Sequence, residues 1–374
     1  MKNISLVIIV SLFFSSAYFF TSCKKDETPT APSEAEIIEN NIQALLDSII
    51  ENTHVPGMVA GVWAPNEGID LVYTAGVSNI ETNAPMDADM IFRIGSNTKT
   101  FTITVLLQLV DEGLISLDDP LSDYLPDFPR ANEVTIEMLT NMRSGIFCYM
   151  DLLDEFWIKV LYTDPTKFWS TDELIALGAS GDYYFDPGTT IHYSNTNTII
   201  IQKIIEIVTG NSLETNIKTR IIDNLNLVNT AYLISGINIP GFHSSAYYYG
   251  EYDAEFPECS EYYDVSCMAA AGSAVSDIYE LKKYVKALVD GVFLSAETQQ
   301  KRMVCPETNS HYGLGILNYK DFYGHNGSMP GYTSIMIYSP ERNCTIIVWY
   351  NCQLDDATPD ILMKLIPELI YSDF

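Results

Sequence analysis

Phe92-Arg93-Ile94-Gly95-Ser96-Asn97-Thr98-Lys99-Thr100-Phe101 stands at the mouth of a strongly apolar run, Phe101–Glu112, that closes at Gly113. The run predicts a buried helix with a glycine stop. Ser96 and Lys99 are three residues apart, so on that helix both side chains share one face. A serine hydroxyl is a poor nucleophile without an adjacent base, and a lysine becomes one when burial lowers its pKa. The N-terminus of a helix also favours developing negative charge. Taken alone, S-x-x-K reads more readily as an N-capping serine followed by a solvated lysine.

Two further elements lie downstream in fixed order. Tyr193-Ser194-Asn195 is the single Y-x-N of the chain. Its phenol can relay a proton beside a cation, and its amide can hold a substrate carbonyl. His325-Asn326-Gly327, followed by Ser328, opens a strand-like run. A histidine beside a glycine gives a titratable donor next to backbone that a substrate can approach closely. His311-Tyr312-Gly313 has the same H-x-G form, so this element has no force by itself.

In this order, S-x-x-K, Y-x-N and [K/H]-x-G, the chain resembles the penicillin-recognising serine hydrolases. It is most similar to the branch holding class C β-lactamases and exported D-alanyl-D-alanine carboxypeptidases. Thr135–Gly145 looks like the family's T-x-x-x-L-L-x-x-x-S-G stretch, Ala270–Ile278 like its A-A-G-x-x-S-x-x-D-L segment, and Tyr312-Gly313-Leu314-Gly315 like its Y-G-L-G run. The resemblance implies Ser96 as acylated nucleophile, Lys99 as first proton acceptor and Tyr193 as second relay. Asn195, His325, Asn326 and Gly327 would bind substrate, and the backbone N–H groups of Ser96 and Ser328 would form the oxyanion hole. No metal and no cofactor is implied. The third motif departs from the Lys-Thr-Gly of class C β-lactamases. A neutral histidine holds a substrate carboxylate less firmly than lysine does. This ranks a D-alanyl-D-alanine carboxypeptidase-like peptidase or an esterase above a class C-like β-lactamase, with a non-catalytic ligand-binding lipoprotein of the same fold as the remaining alternative. No G-x-S-x-G elbow of an α/β-hydrolase is present.

The flanking segments predict the architecture. Ala35–Asn52 carries apolar residues at helical spacing. Met58–Ala64 and Leu71–Val77 form a hairpin around Pro65-Asn66-Glu67-Gly68. Asn195–Thr209 and Ser276–Asp290 read as helices, Gly313–Tyr319, Gly331–Tyr338 and Thr345–Tyr350 as strands, and Asp360–Tyr371 as a final helix. The fold class is therefore α+β: an antiparallel sheet from residues 35–100 and 270–374, with a mostly helical lobe, 101–269, inserted.

Composition narrows the partners. The 374 residues carry 49 acidic against 20 basic side chains, a net charge of −29. This rules out most nucleic-acid binders, because phosphate is held by Lys and Arg, and argues against docking on anionic lipid through a basic patch. The five histidines show no H-E-x-x-H spacing,. A small molecule or peptide is the expected partner; the composition leaves the oligomeric state open.

Lys2, the apolar stretch Ile4–Phe20 and Phe20-Thr21-Ser22-Cys23 read as a secretory signal over residues 1–22. Cys23 sits as the lipidated cysteine of a bacterial lipoprotein would, which predicts export and attachment to the cell envelope by a lipid anchor alone. Residues 23–34 read as a flexible tether. Six cysteines remain, either as disulfides, with Cys259–Cys267 and Cys344–Cys352 nearest in sequence, or as buried thiols.

Overall fold

Every residue of β1 (Gly57–Ala64) is buried, and its side chains divide by parity. Met58, Ala60, Val62 and Ala64 join one apolar cluster, Val59 and Trp63 another. Alternate side chains of a strand point to opposite faces, so a strand apolar on both parities lies in a sheet covered on both sides. β2 (Ile69–Asn79) and β3 (Ala84–Pro85) continue the sheet outward on one side of β1.

On its other side β1 pairs with strands from the far end of the chain. The order is β3-β2-β1-β12-β11-β10-β9, with β9 (Leu317–Tyr319), β10 (Phe322–Met329), β11 (Tyr332–Ser339) and β12 (Cys344–Tyr350), all pairs antiparallel. The same parity runs through them. Ile346, Val348 and Tyr350 share the cluster of Met58, whereas Ile347 and Trp349 share that of Val59. The first cluster is closed by α1 (Glu34–Asn52), through Ile42 and Leu46, and by α10 (Thr358–Ile370), through Leu362, Met363 and Ile366. The second is closed by α8 (Ile278–Val289) and the lobe. Each large apolar side chain buried this way contributes about 1.5–3 kcal/mol.

Between the two halves of the sheet run β4 (Phe92–Arg93), α2 (Thr98–Asp111), α3 (Ile136–Thr140), α4 (Thr171–Ser180), α5 (Asn195–Thr209), α6 (Leu213–Ile217) and α7 (Asp223–Leu225). β5 (Ala231–Tyr232), β6 (Tyr247–Tyr249), β7 (Glu255–Phe256) and β8 (Ala274–Ser276) follow, then α8 and α9 (Ala296–Met303). Two small sheets, β4-β8-β5 and β13-β6-β7, with β13 at Cys352–Gln353, seam the lobe to the main sheet. Residues Glu34–Phe374 make one compact unit. The expected α+β layout, with an antiparallel sheet from both chain ends, is the observed one.

This computed structural model describes residues 31–152, 156–157, 159–249, 255–256, 258–305, 311–353 and 358–374. The signal segment, Cys23 and the tether as far as residue 30 lie outside the described residues. Asn195–Thr209 is a helix with the expected bounds, closed by Gly210 in the left-handed region at φ +67°. The helix expected from Phe101 begins three residues earlier, at Thr98. That expected from Ser276 begins at Ile278, because Asp277 is its N-cap and accepts from the Glu280 N–H at 2.8 Å. Of Gly313–Tyr319 just the last three residues are strand. Cys148, Cys259, Cys267, Cys305, Cys344 and Cys352 are free thiols, all but Cys305 buried, so of the two cysteine readings the buried-thiol one describes the molecule.

Candidate active site

The stretch that opens α2 is a tight turn, Gly95–Asn97, run directly into the helix. Gly95 has φ +52°, and a Cβ there would lie 3.0 Å from the Ser328 nitrogen and 3.2 Å from the Gly327 Cα. A Cβ on Gly327 would in turn meet the Ile94 carbonyl oxygen at 2.1 Å. Two glycines thus let the serine turn and β10 touch backbone to backbone. Ser334, opposite Gly327 on β11, clamps this contact. Its Oγ donates to the Ile94 carbonyl at 2.9 Å and accepts from Asn97 Nδ2 at 2.8 Å.

Lys99 is fully buried on the first turn of α2. Its Nζ donates to Ser96 Oγ at 2.9 Å and to the Ala271 carbonyl at 2.8 Å. Burial without an acidic partner pushes its pKa down to about 7, against a smaller upward pull from the Cys148 thiol,. Close to neutral pH about half of the amine is therefore uncharged and able to take a proton.

Tyr193 precedes α5 and lies over the lysine, with Nζ 4.9 Å from its ring centroid. The residue is 38% exposed, and its phenol interacts with Ser96. Enclosure raises the phenol pKa and the Ser96 contact opposes this, so Tyr193 rests protonated. Hydrogen bonds between the Ser144 loop and the start of α5 fix this position. Ser144 Oγ donates to Asn197 Oδ1 at 2.7 Å, and Thr196 Oγ1 donates to the Phe147 carbonyl at 2.7 Å while accepting from the Tyr149 N–H at 3.0 Å.

Asn195 sits beside this group with Nδ2 3.5 Å from Cys148 Sγ. His325 on β10 is 1% exposed, its ring 6.2 Å from that of Tyr193. Its Nδ1 meets the Asn326 carbonyl at 2.5 Å and its Nε2 meets the Tyr312 hydroxyl at 3.1 Å. Burial, then the nearby Lys99 charge, hold its pKa down at about 3, against a smaller upward pull from the Asn326 carbonyl. The imidazole is neutral, and both nitrogens are engaged within the protein. Asn326 and Gly327 follow on the same strand, opposite Ile335 and Ser334, and the Ser328 nitrogen abuts the serine turn.

The structure thus brings Ser96, Lys99 and Tyr193 into direct contact, with His325 one ring beyond. Two participants carried no assigned role in the sequence reading. Tyr312 packs edge-on against Tyr193 at 6.0 Å and engages His325. Its signal was the Y-G-L-G run. The Ala271 carbonyl holds the lysine from a segment that the alanine-glycine motif marks. A nucleophilic oxygen beside an amine that titrates near neutral pH, a phenol next to both and a backbone N–H at its turn is the equipment for acyl transfer,.

Comparison with known proteins points the same way. The Beta-lactamase family model matches residues 38–365. Penicillin-binding protein 4* of Bacillus subtilis (strain 168) is 24% identical over 88% of this chain and 76% of its own length. A D-aminopeptidase of Gluconobacter oxydans (strain 621H) is 23% identical over 79% of this chain and 56% of its own. The chain thus spans between about half and three quarters of these curated relatives. A solved D-stereospecific amidohydrolase from Streptomyces sp. superposes with a TM-score of 0.76 at 28% identity, covering 89% of this chain and 98% of that one.

Proposed function

The chain belongs to the beta-lactamase family of serine hydrolases, and from that premise we propose that it hydrolyses amides or esters of D-amino acids through an acyl-enzyme on Ser96. The observation that carries the reading is the 2.9 Å contact between Ser96 Oγ and a fully buried Lys99 whose pKa is pushed to about 7. Neutral Lys99 takes the Ser96 proton as Oγ attacks the scissile carbonyl. The carbonyl oxygen, now negative, is held by the N–H groups of Ser96 and Ser328, where loss of one donor costs about 10²–10³ in kcat. Tyr193 passes its proton to the leaving amine or alkoxide and is reprotonated from Lys99, which frees the acyl-enzyme. Water then attacks the ester carbonyl, the same groups moving its proton to Ser96 Oγ, and the acid leaves.

Substrate class follows from charge. The third-motif histidine is neutral and has both nitrogens engaged, so that position supplies no cation for a substrate carboxylate. This favours amides, esters and aminopeptidase-type substrates over carboxypeptidase or β-lactam substrates, whose carboxylate would lack a partner there. The D configuration rests on the likeness to the D-stereospecific amidohydrolase and the D-aminopeptidase. The N-terminal signal and Cys23 make the mature enzyme an exported, lipid-anchored protein in the same proposal.

A fluorophosphonate or fluorescent penicillin should label the wild-type protein and fail on Ser96→Ala. Turnover of nitrocefin, a D-Ala-D-Ala peptide, a D-amino acid p-nitroanilide and a p-nitrophenyl ester then assigns the class. Folded protein that neither probe labels and that turns over none of the four is a binding protein, which overturns the proposal. Nitrocefin turnover alone replaces it with a β-lactamase.

A further inference from the structure

We propose that Gln202, on α5, is a positioning residue for the proton acceptor of the reaction. It fixes the Ala269–Ala271 turn and, through the Ala271 carbonyl, the Lys99 amine. The inference rests on the hydrolase reading, in which Lys99 takes the Ser96 proton, and extends it to a side chain that is hydrogen-bonded to neither.

The turn has no side-chain anchor of its own. Its three alanines are buried, and Ala269 stands at φ +39°, a left-handed conformation that is costly for alanine,. Main-chain bonds close the loop. The Ala271 N–H donates to the Met268 carbonyl at 2.9 Å, and the Gly272 and Ser273 N–H groups donate to the Ala269 carbonyl at 3.1 and 3.0 Å. The two polar groups of Ala270 are taken by side chains from two helices. Its N–H donates to Gln202 Oε1 at 3.2 Å, and its carbonyl accepts from Thr102 Oγ1, on α2, at 3.2 Å. The next carbonyl along, that of Ala271, accepts from Lys99 Nζ at 2.8 Å. Any rotation of the turn released at Ala270 therefore moves the acceptor that aims the lysine.

Gln202 is oriented for this task. It is buried, and its Nε2 donates to Glu206 Oε1 at 3.0 Å and to Thr171 Oγ1 at 3.2 Å. A carboxylate only accepts, so the amide nitrogen faces Glu206 and the amide oxygen faces the Ala270 N–H. The Tyr232 hydroxyl donates to the same oxygen at 3.3 Å. A cavity of about 120 Å³ borders Gln202 together with Trp169, Leu213, Tyr232 and Ala269. Hydrogen bonds rather than close packing thus hold the amide. Tyr193 lies two residues before the start of α5, and Gln202 lies on its second turn. One helix thereby references both proton carriers, Tyr193 directly and Lys99 through the turn.

Gln202→Met removes the acceptor at Ala270 and keeps a side chain of similar length. The maximal rate of Ser96 labelling by a fluorophosphonate should fall about tenfold, with the half-saturating probe concentration unchanged. A carbonyl beside the amine favours its charged form, so losing it should move the acid limb of that rate to lower pH by about half a unit. General loosening would instead wet the amine and carry the limb upward. The titratable groups around Lys99, which are Tyr193, Cys148 and His325, stay in place in this variant. Thr102→Val, isosteric and on the other side of Ala270, should act in the same direction. Glu206→Met frees the opposite end of Gln202 and the Leu213 N–H, so it should lower the melting temperature and leave rate and limb alone. A limb that stays or rises in Gln202→Met, or that Glu206→Met moves equally, overturns the proposal. Lysine labelled with ¹³C at the ε carbon, its resonance identified by Lys99→Met, follows the same titration by NMR without chemistry. If the probe fails on the wild type yet Lys99 titrates lower in Gln202→Met, the hydrolase reading falls and the positioning role stands. If Ser96 is labelled and the two titrations coincide, the positioning role alone falls.

Discussion

The Tyr312 hydroxyl meets His325 Nε2 at 3.1 Å, and the group at the other ring nitrogen sets which of the two donates. The Asn326 carbonyl opposite Nδ1 is an acceptor alone, so Nδ1 carries the hydrogen of the neutral ring and Nε2 is bare,. The histidine thereby props Tyr312, which packs on the edge of Tyr193. Tyr312→Phe leaves Nε2 buried and unpaired. The expected loss is about 1–3 kcal/mol of stability, seen as a lower denaturant midpoint, together with slower turnover at similar KM.

Lys99 sets the acid limb of activity. Its conjugate acid cannot accept the Ser96 proton, so log kcat/KM should rise with pH at unit slope and level off near the lysine's pKa of about 7,. A limb centred near 4 would make a carboxylate the base instead. Burying this amine also disfavours folding below its ordinary value of 10.5, because the unfolded chain then binds the extra proton. Lys99→Met should therefore abolish turnover without lowering the melting temperature at pH 7. A large destabilisation would show that the ammonium is held charged.

His325 gives stability a second pH dependence, of calculable sign. Folded, its pKa is held near 3, and unfolded it titrates at about 6.5,. Between those values the unfolded state binds one more proton. Stability from this group is complete above about pH 6.5 and is lost as pH falls toward 3. Urea titrations over that window should show a slope that His325→Gln lacks.

Ser334 on β11 is tied to the serine turn by two hydrogen bonds, at 2.8 and 2.9 Å, and is buried. Ser334→Ala should cost about 1–2 kcal/mol. It should also lower kcat by about tenfold with KM unchanged, since small displacements between nucleophile and oxyanion donor are expensive. An unaltered kcat in a destabilised variant would reduce Ser334 to a packing residue.

The six free thiols are directly countable. In native protein beginning at Glu34, Ellman's reagent should react quickly at Cys305, the one that is partly exposed, and at all six in guanidinium without reductant. Four or fewer in denaturant would reveal a disulfide.

Much of this was readable in the linear chain because the signals were local. α5 has its apolar period and its stop glycine, and the hairpin β1–β2 its turn residues. The S-x-x-K stretch carries its own helix. What escaped was set by partners distant in sequence. Phe322–Met329 contains two glycines, a histidine, an asparagine and a serine, poor strand formers, and is a strand because β11 pairs with it residue for residue,. Thr98 and Thr100 joined α2 against their modest helix propensity, both fully buried and hydrogen-bonded to Ala274 and Tyr284,. The inward turn of His325 depended on Tyr312, and its motif cannot say which way the ring faces. Sequence separation likewise said nothing of whether Cys259 and Cys267 would bond, and each is buried as a thiol.

The pairing of β1 with β12 has a consequence for how the molecule comes into being. The N-terminal hairpin finds its neighbour only after Cys344–Tyr350 has been synthesised, so the central sheet closes across a long sequence separation,. A nascent chain that stops short of Cys344 already contains Ser96, Lys99 and Tyr193. It also contains β10 and β11, on which the serine turn sits, but lacks β12, the strand that joins them to the N-terminal hairpin and closes the central sheet.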